Sequence, residues 1–222
     1  MKKIAVLLSG CGYLDGAEIR ESVLTLLALD SHPRRSSFEV IIMAPNLPQY
    51  HVVNHLSGEV THEKRNVLQE SARIARGKIQ NLSDINPALL DGLLMPGGFG
   101  VAKNLSNFAF EGVSGEVDAT VKDLISRLHS QKKPIGAICI APAVISMVLG
   151  NQHIKVTIGH DKKTALGIEE TGAVHCPSNV DDVCIDTDNK IVTTPAYMDD
   201  AASLDKIYAG IQKCVFQVLD WT

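Results

Sequence analysis

Five cysteines are spread over the 222 residues, and Cys139 sits where a nucleophile would. An apolar run, Pro134-Ile135-Gly136-Ala137-Ile138, leads directly into it, and residues 140–149 follow as a helix-like segment. A strand that turns sharply into a helix, with a nucleophile at the turn, lifts that side chain above the sheet as a nucleophile elbow. The helix N-terminus sets backbone N–H groups and a partial positive charge beside the sulfur. That field favours thiolate and is expected to depress the pKa of Cys139. The competing reading is a buried strand-end cysteine acting as a small hydrophobe.

Ligands on open parallel sheets bind beyond the carboxyl ends of the strands. Three segments are expected to meet there: residues 9–15, which include Cys11; residues 96–104, which end at Asn104; and Cys139. Gly97-Gly98 provides a turn whose N–H groups can approach a substrate oxygen closely. The N–H of Ile140 is a natural second donor for a developing oxyanion. His160 and His175 would reach this region only through folding. The other cysteines are Cys11, Cys176, Cys184 and Cys214. No two form a CxxC pair, and no zinc spacing or HExxH occurs, so reduced thiols are expected and nothing in the spacing calls for a metal, though residues distant in sequence could still assemble one.

The elements that must position these groups follow from apolar periodicity. Strands are expected at 3–8, 38–44, 89–95 and 133–138. A hairpin is expected from 183–186 and 191–194 around the polar turn 187–190. A helix at 18–29 aligns Ile19, Val23, Leu26 and Leu27 on one face. A second, at 66–76, carries Val67, Leu68, Ala72 and Ala75. A third, at 114–130, has Ser114 as its N-cap with Glu116 and Asp118 in the first turn. A last helix, at 201–219, puts Ile207, Ile211, Val215 and Val218 on one stripe. Near-continuous apolar strands alternating with helices predict an α/β fold, a mostly parallel sheet covered on both faces. Residues 46–65 are less regular and hold His51, Asn54, His55, His62 and Glu63, as functional excursions often do.

Hydrophobic residues make up 45% and charged residues 21%, ordinary for a globular chain, and neither a linker nor a repeat interrupts residues 1–222, which read as a single domain. The net charge of −4, without a basic stripe, argues against a nucleic-acid partner. No apolar run is long enough to span a membrane. The opening residues imitate a signal peptide, but their apolar stretch ends at Leu8 and reads better as a first strand; a cytoplasmic location is expected.

Several strings together resemble the ThiJ/PfpI superfamily, which shares a flavodoxin-like core with class I glutamine amidotransferases. They are Leu94-Met95-Pro96-Gly97-Gly98-Phe99-Gly100, Gly136-Ala137-Ile138-Cys139-Ile140-Ala141-Pro142 and Thr193-Thr194-Pro195-Ala196. Ser9-Gly10-Cys11-Gly12, the run from Gly97 to Asn107 and Ile191-Val192-Thr193-Thr194-Pro195-Ala196-Tyr197-Met198 look like its ElbB branch, described as glyoxalase or enhancing lycopene biosynthesis protein. The resemblance implies a reactive elbow cysteine paired with a glutamate from the first helix. Glu18 and Glu21 are the candidates. Three residues apart, they share a helix face. Counting back from the helix end favours Glu21, and the longer loop after Ser9 keeps Glu18 open. A glutamine amidotransferase would need a late His-x-Glu pair, which residues 195–198 lack, so glutaminase chemistry is not expected. Some relatives place histidine after the cysteine; here Ile140 stands there.

What the resemblance implies is a cofactor-independent glyoxalase. Cys139 adds to a small α-oxoaldehyde, and the glutamate shuttles the proton. The alternatives are a non-catalytic redox-sensing or stress protein using the same cysteine, and an accessory protein affecting isoprenoid metabolism. The resemblance also implies a homodimer. Phe99, Phe108 and Phe110 cluster in residues 98–113, an apolar loop that must pack on its own domain, cover the cysteine pocket or meet a partner copy.

Overall fold

The computed structural model describes all residues, 1–222. The chain runs β1 (Lys2–Leu7), α1 (Ile19–Asp30), β2 (Phe38–Ala44), β3 (Val52–Val53), β4 (Val60–Thr61), α2 (Val67–Ile74), β5 (Gln80–Asn81) and β6 (Gly92–Met95). It continues with α3 (Phe99–Lys103), α4 (Phe108–Glu111), α5 (Ala119–Ser130), β7 (Ile135–Ile138), α6 (Ala141–Leu149), β8 (Lys155–Val156) and α7 (Lys162–Glu170). The last elements are β9 (Val174–His175), β10 (Cys184–Asp186), β11 (Ile191–Thr194) and α8 (Leu204–Asp220).

Seven strands form one sheet in the order β10-β11-β7-β6-β1-β2-β5. Every pairing in it is parallel except the β10–β11 hairpin. This is the α/β sandwich the apolar runs predict. Alternate residues of β1 explain why both faces must be covered. Ala5 and Leu7 enter the core that holds Val121, Leu124 and Val144, and Ile4 and Val6 enter the opposite core with Ile207, Ile211 and Val215. Strands buried on both faces cannot alternate polar and apolar residues, which is why they read as continuous hydrophobic runs.

Two expectations about helices need correction. Helix α1 lies where predicted, but Ile19, Val23 and Leu27 face outward, at 45%, 49% and 48% exposure. Its buried residues are Glu21, Ser22, Thr25, Ala28 and Leu29. Burying Ser22 and Thr25 is tolerated because each hydroxyl donates to a carbonyl of the helix itself, Ser22 to Glu18 O (2.6 Å) and Thr25 to Glu21 O (2.7 Å). Helix α5 begins at Ala119, not near Ser114, and its N-cap is Asp118, which accepts the N–H groups of Thr120 and Val121. An aspartate is as good a cap as serine, and Ser114 instead ends a short 3-10 turn.

Candidate active site

The parallel order brings the carboxyl ends of β1, β6, β7 and β11 to one edge. Ile138 ends β7, and α6 begins at Ala141, so Cys139 and Ile140 make the whole turn. Cys139 takes φ +61°. That left-handed conformation costs a non-glycine residue about 1–2 kcal/mol. It is held by the hydrogen bond from Cys139 N–H to Thr194 O (2.9 Å) and by the helix that follows. The N–H groups of Gly98 and Ile140 both donate to the Cys139 sulfur.

Helix α1 places Glu21 against that sulfur. The Glu21 carboxyl is fully buried and shares a hydrogen bond with Cys139. Its Oε2 accepts the Gly97 N–H at 2.8 Å, and its Oε1 accepts the Tyr197 N–H at 3.3 Å. Glu18, one turn earlier, is the N-cap of α1, and its Oε2 accepts the Glu21 N–H at 2.6 Å. The two candidates therefore occupy different places: Glu21 touches the sulfur, and Glu18 caps the helix that carries it. Gly97 is expected to aim its N–H at substrate, but that group is taken by Glu21. A Cβ at Gly97 would lie 2.5 Å from Cys139 Cβ and 3.0 Å from its Sγ, so only glycine lets the loop seal this side of the pair.

The electrostatics reverse one expectation. The Cys139 thiol is pushed well above its ordinary value, chiefly by burial and next by the Glu21 charge. The two N–H donors act the other way and are outweighed, because the sulfur has lost its water. The expected depression by the helix N-terminus is thus overturned. Glu21 is raised from 4.5 to about 8, first by burial and then by the charge of Glu18. Two acids in contact titrate as one unit. The first proton lost leaves a single negative charge shared between sulfur and carboxyl.

Cys139 opens into a cavity of about 1280 Å³, with Glu21 buried behind it. Tyr13, Phe99, Phe108 and Met198 supply apolar wall, and Glu18, Arg20, Lys163 and Glu170 stand among its charged groups. Arg20 donates to the Tyr197 hydroxyl (3.0 Å), fixing the segment whose N–H holds Glu21. His55, from the irregular 46–65 segment, also reaches this cavity. Its Nδ1 lies 3.0 Å from Val53 O, and its Nε2 lies 3.3 Å from the Leu14 backbone N.

The remaining candidates do not join the pair. Asn104 is a clamp: its Nδ2 donates to Ser9 O (2.9 Å) and Asp15 O (2.8 Å), and its Oδ1 accepts the Tyr50 N–H (2.9 Å). Cys11 is half-buried beside Glu70 and Arg73 and is not among the residues lining the Cys139 cavity. His160 lines an adjoining cavity of about 650 Å³ that shares Asp161 and Met198 with the larger one. His175 Nε2 accepts the Ile158 N–H (3.4 Å) away from the sulfur. Sequence reading missed Tyr197, whose backbone N–H acts and whose side chain therefore leaves no chemical signature. It also missed α7, which supplies Lys163, Thr164 and Leu166 to the wall.

No family model matches the chain. It is 43% identical over 230 residues to the "ES1 protein homolog, mitochondrial" of Rattus norvegicus, covering 99% of this chain and 84% of that protein. Among solved structures it is similar to an isoprenoid biosynthesis protein with amidotransferase-like domain from Ehrlichia chaffeensis (TM-score 0.91, 39% identity, 100% of this chain and 99% of that one). A more distant likeness, in fold alone, is to Drosophila melanogaster DJ-1beta (TM-score 0.59, 18% identity, 99% and 95% coverage). The expected cytoplasmic location is corrected by these comparisons. The rat relative, the human "Glutamine amidotransferase-like class 1 domain-containing protein 3, mitochondrial" and the Danio rerio "ES1 protein, mitochondrial" all carry that location in their names. They point to a mitochondrial setting, and an opening strand says nothing about compartment.

Proposed function

Because the chain belongs to the ES1 family of glutamine amidotransferase-like class 1 proteins, we propose that its buried cysteine–carboxyl pair is a catalytic unit of the ElbB, glyoxalase type. It converts small α-oxoaldehydes such as glyoxal and methylglyoxal to hydroxy acids without a cofactor. The observation that carries this reading is the Glu21 carboxyl held against the Cys139 sulfur by the N–H groups of Gly97 and Tyr197.

The reactive form is the pair after loss of one proton. The sulfur attacks the aldehyde carbon, and the carboxyl proton passes to the aldehyde oxygen, giving a hemithioacetal and a Glu21 carboxylate. That carboxylate removes the hydrogen on C1 as a proton, forming an enediol-like state, and returns it to C2. A proton moves from the C1 oxygen to the C2 oxygen, leaving a thioester on Cys139. Water cleaves the thioester, releasing the hydroxy acid and restoring the pair. The N–H groups of Gly98 and Ile140 offset negative charge at the sulfur and its carbon. Purified protein given methylglyoxal without added thiol is expected to form lactate; no lactate under these conditions overturns the reading.

Redox sensing by Cys139 would draw on the same singly deprotonated pair, and selective oxidation of Cys139 by mild peroxide without lactate formation from methylglyoxal would favour it. A role in isoprenoid metabolism draws on the ElbB resemblance and on the name of the Ehrlichia protein. Glutaminase chemistry lacks its histidine: the segment facing Glu21 is Ala196–Met198, and Tyr197 offers only its N–H.

We also propose a homodimer, with its candidate surface widened to α1. Phe108 packs on the chain's own core and Phe110 stacks on Tyr50 (centroids 4.4 Å apart), while Phe99 and Phe110 each stay 46% exposed and keep the loop open to a partner copy. The outward Ile19, Val23 and Leu27 of α1 form the apolar stripe that a second copy would bury. Sedimentation is expected to show twice the 23.9 kDa chain mass, and Val23→Asp with Leu27→Asp to return it to the single mass. A wild-type species at the chain mass removes the proposal.

A further inference from the structure

Two cysteines remote from Cys139 are brought together at the β10 edge of the sheet. Cys176 follows β9, and its N–H donates to Val156 O (2.8 Å), tying it to β8. Cys184 opens β10, opposite Thr193 of β11. Strand β8 is lashed alongside by two further bonds, Lys155 N–H to Asp186 Oδ2 (2.7 Å) and Thr157 N–H to Thr193 Oγ1 (2.8 Å). This frame brings the thiols of Cys176 and Cys184 near enough to interact electrostatically. Cys184 is 7% exposed, and Cys176 is half-buried with one side toward solvent.

We propose that Cys176 and Cys184 are a reversible dithiol–disulfide site, independent of Cys139, that is oxidised by low-molecular-weight disulfides. Bridging requires sulfurs already close, because a disulfide tolerates little backbone distortion. The bonds that lash β8 and β9 to β10 and β11 bring the two cysteines to neighbouring positions. The two positions also differ in role. Cys184 is pushed up to about 12, first by burial and then by the Cys176 charge, so it keeps its proton while Cys176 meets the oxidant. The Cys176 thiolate attacks one sulfur of the small disulfide, its S–S bond breaks and one small thiolate leaves. With Cys176 now uncharged, Cys184 loses its proton to solvent, and its sulfur attacks that of Cys176, releasing the second small thiol. Two protein thiols are oxidised to one disulfide, and one small disulfide is reduced to two thiols.

The bond would close the loop 177–183. That loop supplies Ser178, Asn179, Val180 and Asp181 to the 650 Å³ cavity, so oxidation fixes one wall of a cavity the proposed catalytic pair does not use.

Both cysteines fall within one tryptic peptide, Thr164–Lys190, which simplifies the test. Native protein carrying Cys139→Ala is treated with oxidised glutathione, then with iodoacetamide in denaturant, and digested. The expected product is this peptide without alkyl groups and lighter than its reduced form by two hydrogens. Cys184→Ser, treated alike, is expected to stop at a glutathione adduct on Cys176. A native peptide alkylated at both positions overturns the proposal. So does a glutathione adduct on Cys176 that persists while Cys184 is intact.

Discussion

Cys139→Ala protein is expected to fold as the parent does and to convert methylglyoxal no faster than solution without enzyme. The loss is more than about 10⁴-fold, because the substitution deletes the only sulfur that touches the acid and with it every covalent step. Little else should change. Alanine keeps the Cβ, so the φ of +61° at the elbow is no worse than before. The price is two N–H groups, of Gly98 and Ile140, left without their acceptor. This costs about 1–3 kcal/mol if both stay dry. Circular dichroism and a denaturant melt check the fold, and lactate formation checks the chemistry. A Cys139→Ala protein that still turns over at the parental rate refutes covalent catalysis here, whatever the other cysteines do.

Glu21→Gln should do two opposite things. Turnover falls by roughly 10²–10⁴-fold, the usual span for a missing acid–base group. Glutamine keeps the shape and donates to the sulfur but cannot carry a proton between carbons. Glu18→Gln should be much milder, since Glu18 meets the Glu21 backbone and not the sulfur. Stability moves the other way at high pH. Folded Glu21 titrates at about 8 against an ordinary 4.5, so between those values the folded state holds a proton that the unfolded state has released. The contribution of this carboxyl to stability is therefore complete below pH 4.5 and is lost as pH rises through 8. Glutamine has no proton to lose. From pH 5 to pH 9, Glu21→Gln should gain on the wild type by on the order of 4 kcal/mol. Denaturant melts at those two pH values measure the gap, and parallel pH profiles would show that Glu21 is not buried as an acid. Wild-type turnover should rise with pH towards 8 for the same reason, since the pair is reactive only after its first proton leaves.

Much of the scaffold was legible because burial on both faces imposes apolar runs. Residues 38–44 were read as a strand and are one, and the hairpin of 183–186 with 191–194 is present as Cys184–Asp186 and Ile191–Thr194. The misreading of α1 has a definite cause. Periodicity locates an apolar face but assumes that it points inward, and here Ser22 and Thr25 go inward at little cost because the helix accepts their hydrogens. The two-residue strands β3, β4, β5, β8 and β9 are too short for any period to show. Elbow and carboxylate were legible as residue types, through motif and resemblance. Their charge state was not. Whether an N-terminal field or desolvation governs Cys139 depends on how much water the Gly97 turn excludes. That is decided by the contact between Gly97 N and Glu21 Oε2, groups 76 residues apart.

The seal at Gly97 has a consequence for handedness. One side of the Cys139 sulfur is occupied by Gly97 and the Glu21 carboxyl, and the other faces the cavity. A carbon bound to the sulfur lies on the cavity side, and the proposed proton carrier, Glu21, approaches it past the sulfur from one direction. On the proposed mechanism, methylglyoxal is expected to leave as lactate enriched in one configuration, an asymmetry that traces to a residue with no side chain.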